Sequence, residues 1–509
     1  MKKILYSLAV LSCAALTSCD MDTTNFGVIG SENALETYND AVNFTNGLYL
    51  QITNVAAGAK YSAAELQMDK FVGSVTNGNR NGSFSAGQVN SSDQEITAWY
   101  EIMYDAINSA NYFLPRIDPI IEKETDETRK LELQSFRGVA HFTRAFAYWY
   151  LFDKHVNYKE ADLDAPGKGL QIVETYNPSG DRKTYVGRST IKETVAYINK
   201  ELEQAYADLK AWEDGGHMDA VGPEAAYLSS YTVEALHARF ALLCNDYNTA
   251  LAKAEDVINS GYYELCNVDS YRAMWTKDQG TELLFVPYAT KGIGGYNIGG
   301  TWITANLESS DYLPTAAAYT AYSAQDIRRK SFFTLHKLND SGYTSNAIMF
   351  TKFFGNPELY TTTSNNLVNK AKPFRLSELY LIAAESAAAT SQEGKANGYL
   401  NDLRRNRINN YEDITMSGSN LVNAIRDERA KELIGEGFRM SDLRRWGLGF
   451  TRVANFSAIG SIFADTEDYI ATRFNNVSYQ PGDYRYVWPI PYREMSVNPQ
   501  LTGQQNPGY

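Results

Sequence analysis

Apolar and small residues recur at helical spacing through residues 232–265: Ala235, Leu236, Phe240 and Leu243, then, past a break at Asn245-Asp246, Ala250, Leu251, Ala254, Val257 and Ile258. Gly261 ends the pattern, as glycine does where a helix must turn through the left-handed region. Alanines where two helices touch mark a tetratricopeptide-type unit of about 34 residues. One such unit cannot cover its own apolar face. The same period returns at residues 133–153, 189–209, 374–389 with 395–407, and 421–434, so the pattern predicts a mainly α chain whose helix pairs stack into a superhelix.

Between these runs lie stretches rich in Gly, Asn, Ser and Tyr, at residues 71–94, 162–188, 291–313 and 339–369. Inserts of this length in a packed helical chain are functional loops or small added subdomains. Short strands are expected at 282–288 and 351–354. The chain therefore divides into a periodic helical half and an irregular, loop-rich half suited to ligand binding.

The first residues follow a different pattern. Lys2 and Lys3 precede an apolar run over residues 4–16, which is the charged and hydrophobic part of a signal peptide and is shorter than the ~20 residues of a spanning helix. Leu16-Thr17-Ser18-Cys19 resembles the lipobox of bacterial lipoproteins, so residues 1–18 are expected to be removed and Cys19 to be acylated. On this reading Asp20-Met21-Asp22-Thr23-Thr24 begins a polar leash, and the body meets the membrane through the lipid anchor.

Composition narrows the choice of function. Lys+Arg 47 against Asp+Glu 60 gives a formal net charge of -13 over 509 residues, a balance that repels phosphate backbones and argues against nucleic acid as a partner. Tyr 36 exceeds Phe 22, and rings with a polar tip favour wet recognition surfaces. Two cysteines, Cys244 and Cys266, remain once Cys13 leaves and Cys19 is lipidated; two buried free thiols are expected rather than a disulfide.

No catalytic signature is present. His141, His155, His217, His237 and His336 form no H-E-x-x-H, and there is no G-x-S-x-G or phosphate-binding loop. Gly292-Ile293-Gly294-Gly295-Tyr296-Asn297-Ile298-Gly299-Gly300 lacks dinucleotide-binding spacing and reads as a loop carrying Tyr296. No motif calls for a metal or a cofactor. Paired carboxylates for glycoside hydrolysis are defined by separation in space, which a sequence does not give.

Residues 425–446 are dense in charge. On a helix Glu428 and Glu432 share one face and Ile425, Arg429 and Leu433 another, while Gly435 and Gly437 permit a sharp turn toward Phe438-Arg439 and Asp442-Leu443-Arg444-Arg445-Trp446. A catalytic reading would use Glu428 or Glu436. The structural reading is an Arg-carboxylate network locking two helices.

This run resembles the C-terminal hallmark of the SusD/RagB family, outer-membrane lipoproteins that capture nutrients, mostly glycans. Other segments agree in order. Trp99, Tyr104, Ile107 and Asn111 resemble the family's first core helix, Phe136-Arg137 with residues 144–151 its second, residues 375–385 a later one, and Trp488-Pro489-Ile490-Pro491 through Tyr509 its closing motif. The resemblance implies a SusD-like unit over residues 19–509, with an N-terminal portion to about 230 and a C-terminal portion from about 270. It also implies a partner, the SusC-like TonB-dependent transporter that such lipoproteins cap, and binding residues that sit in the inserted loops.

The expected function is therefore non-catalytic binding of a glycan or other oligomer at the outer cell surface, with delivery to that transporter. The alternatives are a surface glycosidase and a structural lid of the transporter without ligand affinity of its own. Sugars offer flat C–H faces and hydroxyls, so a site needs rings beside amides, acids or Arg. Two inserts hold that mixture: Asp69, Arg80 and Phe84 at the first, and Tyr296, Asn297, Trp302 and Asn306 at the third. Trp99, Trp149, Trp446 and Trp488 lie in scaffold-like motifs and are expected in the core.

Overall fold

The structure is a computed structural model that describes residues 34–57 and 59–509; the segment expected to be a signal peptide, Cys19 and the expected leash lie outside the described residues. Its longer helices are α1 (Tyr38–Ala56), α2 (Ala59–Leu66), α3 (Gln94–Lys123), α4 (Glu127–His155), α5 (Ile191–Asp214), α6 (Ser230–Leu243), α7 (Tyr247–Ile258), α8 (Leu376–Ala389), α9 (Glu393–Arg405), α10 (Gly418–Glu432) and α11 (Arg439–Trp446). Helices α3 to α8 each pack on the next, α9 and α10 pack on α8, and α1 lies across α3 and α4. This is the stacked spine that the apolar period predicts.

Local chemistry starts these helices. Thr37 with Asp40 and Thr190 with Glu193 form reciprocal capping boxes at α1 and α5, each satisfying two otherwise orphaned backbone donors. Ser229 and Asp246 cap the pair α6 and α7. Ala235, Ala238, Ala250 and Ala254 are buried, which lets the two backbones approach. In α3, Pro115 and Pro119 stand four residues apart at exposed positions, where their missing N–H groups face away from the core.

Among the described residues four two-stranded antiparallel sheets punctuate the rest. The strands are β1 (Phe71–Gly73), β2 (Leu283–Phe285), β3 (Tyr312–Pro314), β4 (Phe333–Asp340), β5 (Tyr343–Phe350), β6 (Phe374–Arg375), β7 (Phe450–Arg452) and β8 (Val477–Tyr479), paired β1 with β3, β2 with β6, β4 with β5 and β7 with β8. The strand expected at 282–288 is β2. The strand expected at 351–354 is absent; pairing ends at Phe350, and the strand is the preceding segment of a hairpin turned at Ser341-Gly342, both with positive φ.

The apolar side chains gather in two large clusters. One follows the helical spine and takes in the C-terminal Tyr479, Tyr486, Trp488 and Ile490. The other lies in the loop-rich half, with Phe71, Trp275, Trp302, Phe332 and Phe350 among its members. Trp99, Trp149 and Trp488 are buried and Trp446 half-buried with its indole N–H donated to Glu385. Trp488 packs on Trp99 and Phe84, and its N–H donates to Gln67, so the C-terminal segment closes over the first insert and the start of α3. Cys244 and Cys266 are both free thiols.

A charged network lies between the two clusters. Glu432, fully buried on α10, accepts from Arg375 at 2.9 Å, Arg407 at 3.0 Å and Arg328 at 3.1 Å. Glu428, one turn earlier, accepts from Arg328 and Arg404; Glu436 accepts from Arg375 and Lys352; Glu282 accepts from Arg407. Burial by itself would raise these carboxyls, but the surrounding guanidinium groups hold Glu432 and Glu428 well below the usual carboxylate range. Glu428 and Glu436, the candidate acids of the hallmark, are both engaged in these ion pairs. Gly435 and Gly437 adopt positive φ after α10, and a Cβ on Gly435 would meet the Phe350 ring at 2.8 Å; the turn expected there needs glycine for space as well as for φ.

Glu432→Ala would leave three guanidinium groups buried with that counter-charge gone, and is expected to cost about 3–5 kcal/mol in denaturant unfolding. Arg405→Ala, which removes an exposed pairing with Asp402 and Asp413, is expected to stay within about 0.5 kcal/mol. Equal losses in the two variants would contradict this account.

Candidate functional site

The two inserts chosen from sequence meet. Strand β1 pairs with β3, Phe71 opposite Pro314 and Gly73 opposite Tyr312, so the loop after β1 is held against the end of the third insert. Arg80, with a side chain 65% exposed, forms an ion pair with Asp311, and the Tyr312 hydroxyl donates to the Arg80 carbonyl. Beside them Asp340, at the tip of the β4–β5 hairpin, accepts from Thr76 Oγ1 and Tyr469 Oη, each at 2.6 Å. The Tyr343 ring, half-buried, packs edge-on against Tyr469.

Two neighbouring acids here differ in character. Burial pushes the Asp311 carboxyl up to about 6, with the Asp340 charge adding to it and Arg80 opposing. For Asp340, burial is outweighed by hydrogen bonds from Thr76, Tyr469 and Ser341, which lower it. The result is an open polar surface with a guanidinium whose donors are only partly used, flanked by two carboxyl groups. Such a set can donate to and accept from adjacent hydroxyls. Among the described residues no group of His, Cys, Asp and Glu side chains is arranged to hold a metal ion.

The other sequence-predicted residues are distributed differently. Trp302 is 1% exposed; its ring lies 4.2 Å from Phe71 and 5.1 Å from Phe350, centroid to centroid, in the second apolar cluster. It is a core residue because β1 and the hairpin close over it. Phe84 is likewise fully buried against Trp99 and Trp488. Asp69 is a tether: Arg439 donates to both its oxygens at 2.7 and 2.8 Å, and although burial raises it, Arg439 and Lys70 hold it far below the usual range. Tyr296 donates to Asn54 and pairs through its backbone with Asn369. Asn297 caps Gly300, and Asn306 closes its own turn with Thr304 and Glu308.

Asn297 and Trp302 also line a chamber of about 120 Å³ with Trp275, Arg239, Lys372 and Glu436. The indole N–H groups of Trp275 and Trp302 have no hydrogen-bond partner among the described residues. The space suits a few waters and falls below the ~300 Å³ at which small-molecule pockets begin. The residues sequence reasoning missed at the insert junction are Asp311, Asp340, Thr76, Tyr343 and Tyr469. All but Tyr469 lie in the Gly-, Asn-, Ser- and Tyr-rich inserts, where no period tells which side chains meet.

A stack of antiparallel helix pairs carrying a large irregular insertion defines a helical-repeat scaffold protein. The chain belongs to the SusD/RagB family: a family model described as the SusD family matches residues 303–509, and one described as starch-binding associating with outer membrane matches residues 28–214. The fold is shared with a SusD superfamily protein from Bacteroides thetaiotaomicron (TM-score 0.75, 22% identity, covering 92% of this chain and 100% of that one). It is shared too with a SusD-like carbohydrate binding protein from Bacteroides vulgatus (TM-score 0.72, 19% identity, 92% of this chain and 98% of that one). A curated relative, SusD-like protein P25 from Formosa agariphila, is 31% identical over 141 residues, which span 27% of this chain and 24% of that protein. Among the described residues no helix is long and apolar enough to cross a membrane.

Trp302→Ala is expected to destabilise the fold by about 3–5 kcal/mol, as for a large core ring, seen as a lower unfolding midpoint. Arg80→Ala removes an exposed side chain and should shift that midpoint by about 0.5 kcal/mol or less. A Trp302→Ala protein as stable as the unaltered chain would show that the ring is not part of the core.

Proposed function

We propose that this chain is a non-catalytic lipoprotein, acylated at Cys19 and displayed at the outer membrane as one SusD-like unit, that binds an oligosaccharide and passes it to a SusC-like TonB-dependent transporter. The observation that carries the reading is the insert junction. An exposed guanidinium and two carboxyl groups, drawn from segments more than two hundred residues apart, stand together on an open surface. Hydroxyl-rich ligands need that alternation of donors and acceptors. Membership in a family described as starch-binding, and the likeness to a carbohydrate binding protein, support the ligand class.

A second reading, hydrolysis, has one observation in its favour, the raised Asp311 carboxyl beside an ionised Asp340. Against it, Asp340 is already committed to Thr76 and Tyr469. Release of reducing ends from a bound polysaccharide by the pure protein, lost in Asp311→Asn, would establish it.

On an oligosaccharide array the full chain carrying Cys19→Ala is expected to bind, and Arg80→Ala to weaken that binding by about tenfold with unfolding unchanged. Because burial pushes the Asp311 carboxyl up to about 6, protonation as pH falls from 7 to 5 removes the carboxylate that positions Arg80, so affinity should fall across that window and the fall should flatten in Asp311→Asn. An array on which no ligand loses affinity in Arg80→Ala would move the site elsewhere.

Cys19→Ala is also expected to shift the protein from the membrane fraction to the soluble fraction. Continued anchoring would remove the lipid from this account.

A further inference from the structure

A second concave surface, lined by none of the insert-junction residues, is built from α3, the loop at residues 171–186 and the C-terminal turn (Tyr492–Val497). It is a groove of about 570 Å³, within the range of ligand sites. Tyr100, Tyr104, Tyr176 and Tyr185 supply rings. Their polar surroundings are Glu101, Glu174 and Glu494 with Asn108, Gln171 and Asn498, and among the described residues no lysine or arginine lines the groove.

The floor is fixed in place. The Tyr100 hydroxyl donates to Gln171 Oε1 at 2.7 Å and that of Tyr104 to the Gln171 carbonyl at 3.0 Å. Gln171 and Asn498 in turn donate to Glu494 Oε1 at 3.0 and 3.3 Å. Three segments of chain are thereby tied into one rigid base, so a ligand would meet rings already oriented. The walls are open and apolar where they meet solvent: Tyr176 is 41%, Val186 38% and Val497 39% exposed. Glu101 is paired with Arg493 at the rim, whereas Glu174 and Glu494 have no ion-pair partner among the described residues.

We propose that this groove is a second carbohydrate site, which takes an uncharged or amino-bearing oligosaccharide and turns away uronate and sulfated chains. Tyrosine faces match the C–H faces of pyranose rings, amides and carboxylates match their hydroxyls, and the uncompensated acids repel polyanions. This deepens the functional reading above, since it rests on the same ligand class while assigning it a separate surface.

The test is an array of neutral α- and β-glucans, mannans and xylans beside uronate and sulfated oligosaccharides, with a lysine-rich peptide included, probed with the full chain carrying Cys19→Ala. Tyr176→Ala should weaken one set of neutral ligands about tenfold with unchanged unfolding, and Glu174→Lys should admit anionic chains that the unaltered groove excludes. Arg80→Ala should leave that set bound. Neutral binding that Arg80→Ala abolishes and Tyr176→Ala does not touch would overturn the groove proposal alone. A blank array would overturn both readings. Capture of the peptide, lost in Tyr176→Ala while no glycan responds to that change, would give the groove to a peptide and overturn it as a carbohydrate site.

Discussion

The buried charge network centred on Glu432 is the interaction on which the rest of the molecule depends. Carboxylates and guanidinium groups removed from water are stable only when each meets several partners of opposite sign, and one missing member leaves its neighbours uncompensated. The network draws Arg328 from the loop-rich half, Lys352 from the end of β5, Arg375 from β6, Arg404 from α9, Arg407 from just beyond it and Glu282 from the approach to β2. All of them converge on one helix and the turn after it. Apolar burial is non-directional and would tolerate many placements of one half on the other; a set of paired charges tolerates few.

A second set of polar tethers fixes the inserts to this frame. Arg439 holds Asp69, and the backbone N–H of Gly437 donates to Glu65 at 3.0 Å, so the segment leading into β1 is anchored to the turn after α10. Burial raises the Glu65 carboxyl to about 7 despite the donors of Arg439 and Gly437. Arg452 does comparable work from β7, donating to the carbonyls of Leu66 and Met68. With the base of the insert immobilised in this way, Arg80 and Asp311 meet at the surface without any cost of ordering the segments that carry them.

The two candidate sites use the fold in different ways. The insert junction stands on irregular segments that the spine supports, and its polar groups come from strand ends and a hairpin tip. The groove is made by the spine itself, where a loop between α4 and α5 and the closing C-terminal turn lie over α3. Loops on a rigid frame are where function usually sits, and both candidate sites are of that kind.

Several features were determined by the sequence alone. Period and small residues located the α6–α7 pair to within a few residues, because burying one face of a helix demands that spacing whatever surrounds it. The charge pattern of residues 425–446 disclosed a network, and the glycines at 435 and 437 a turn, since both follow from local geometry. Trp302 and Phe84 show what the sequence did not decide. A ring in an irregular insert has no periodicity to say which way it faces, so burial was settled by β1 pairing with β3 and by Phe71 and Phe350 closing over the indole. Asp69 was read as a ligand-binding acid and is instead held by an arginine 370 residues away. The pairing of Arg80 with Asp311, and of Asp340 with Thr76 and Tyr469, likewise depends on separation in space. That is a property of the tertiary structure, to which the order of residues along the chain gives no direct access.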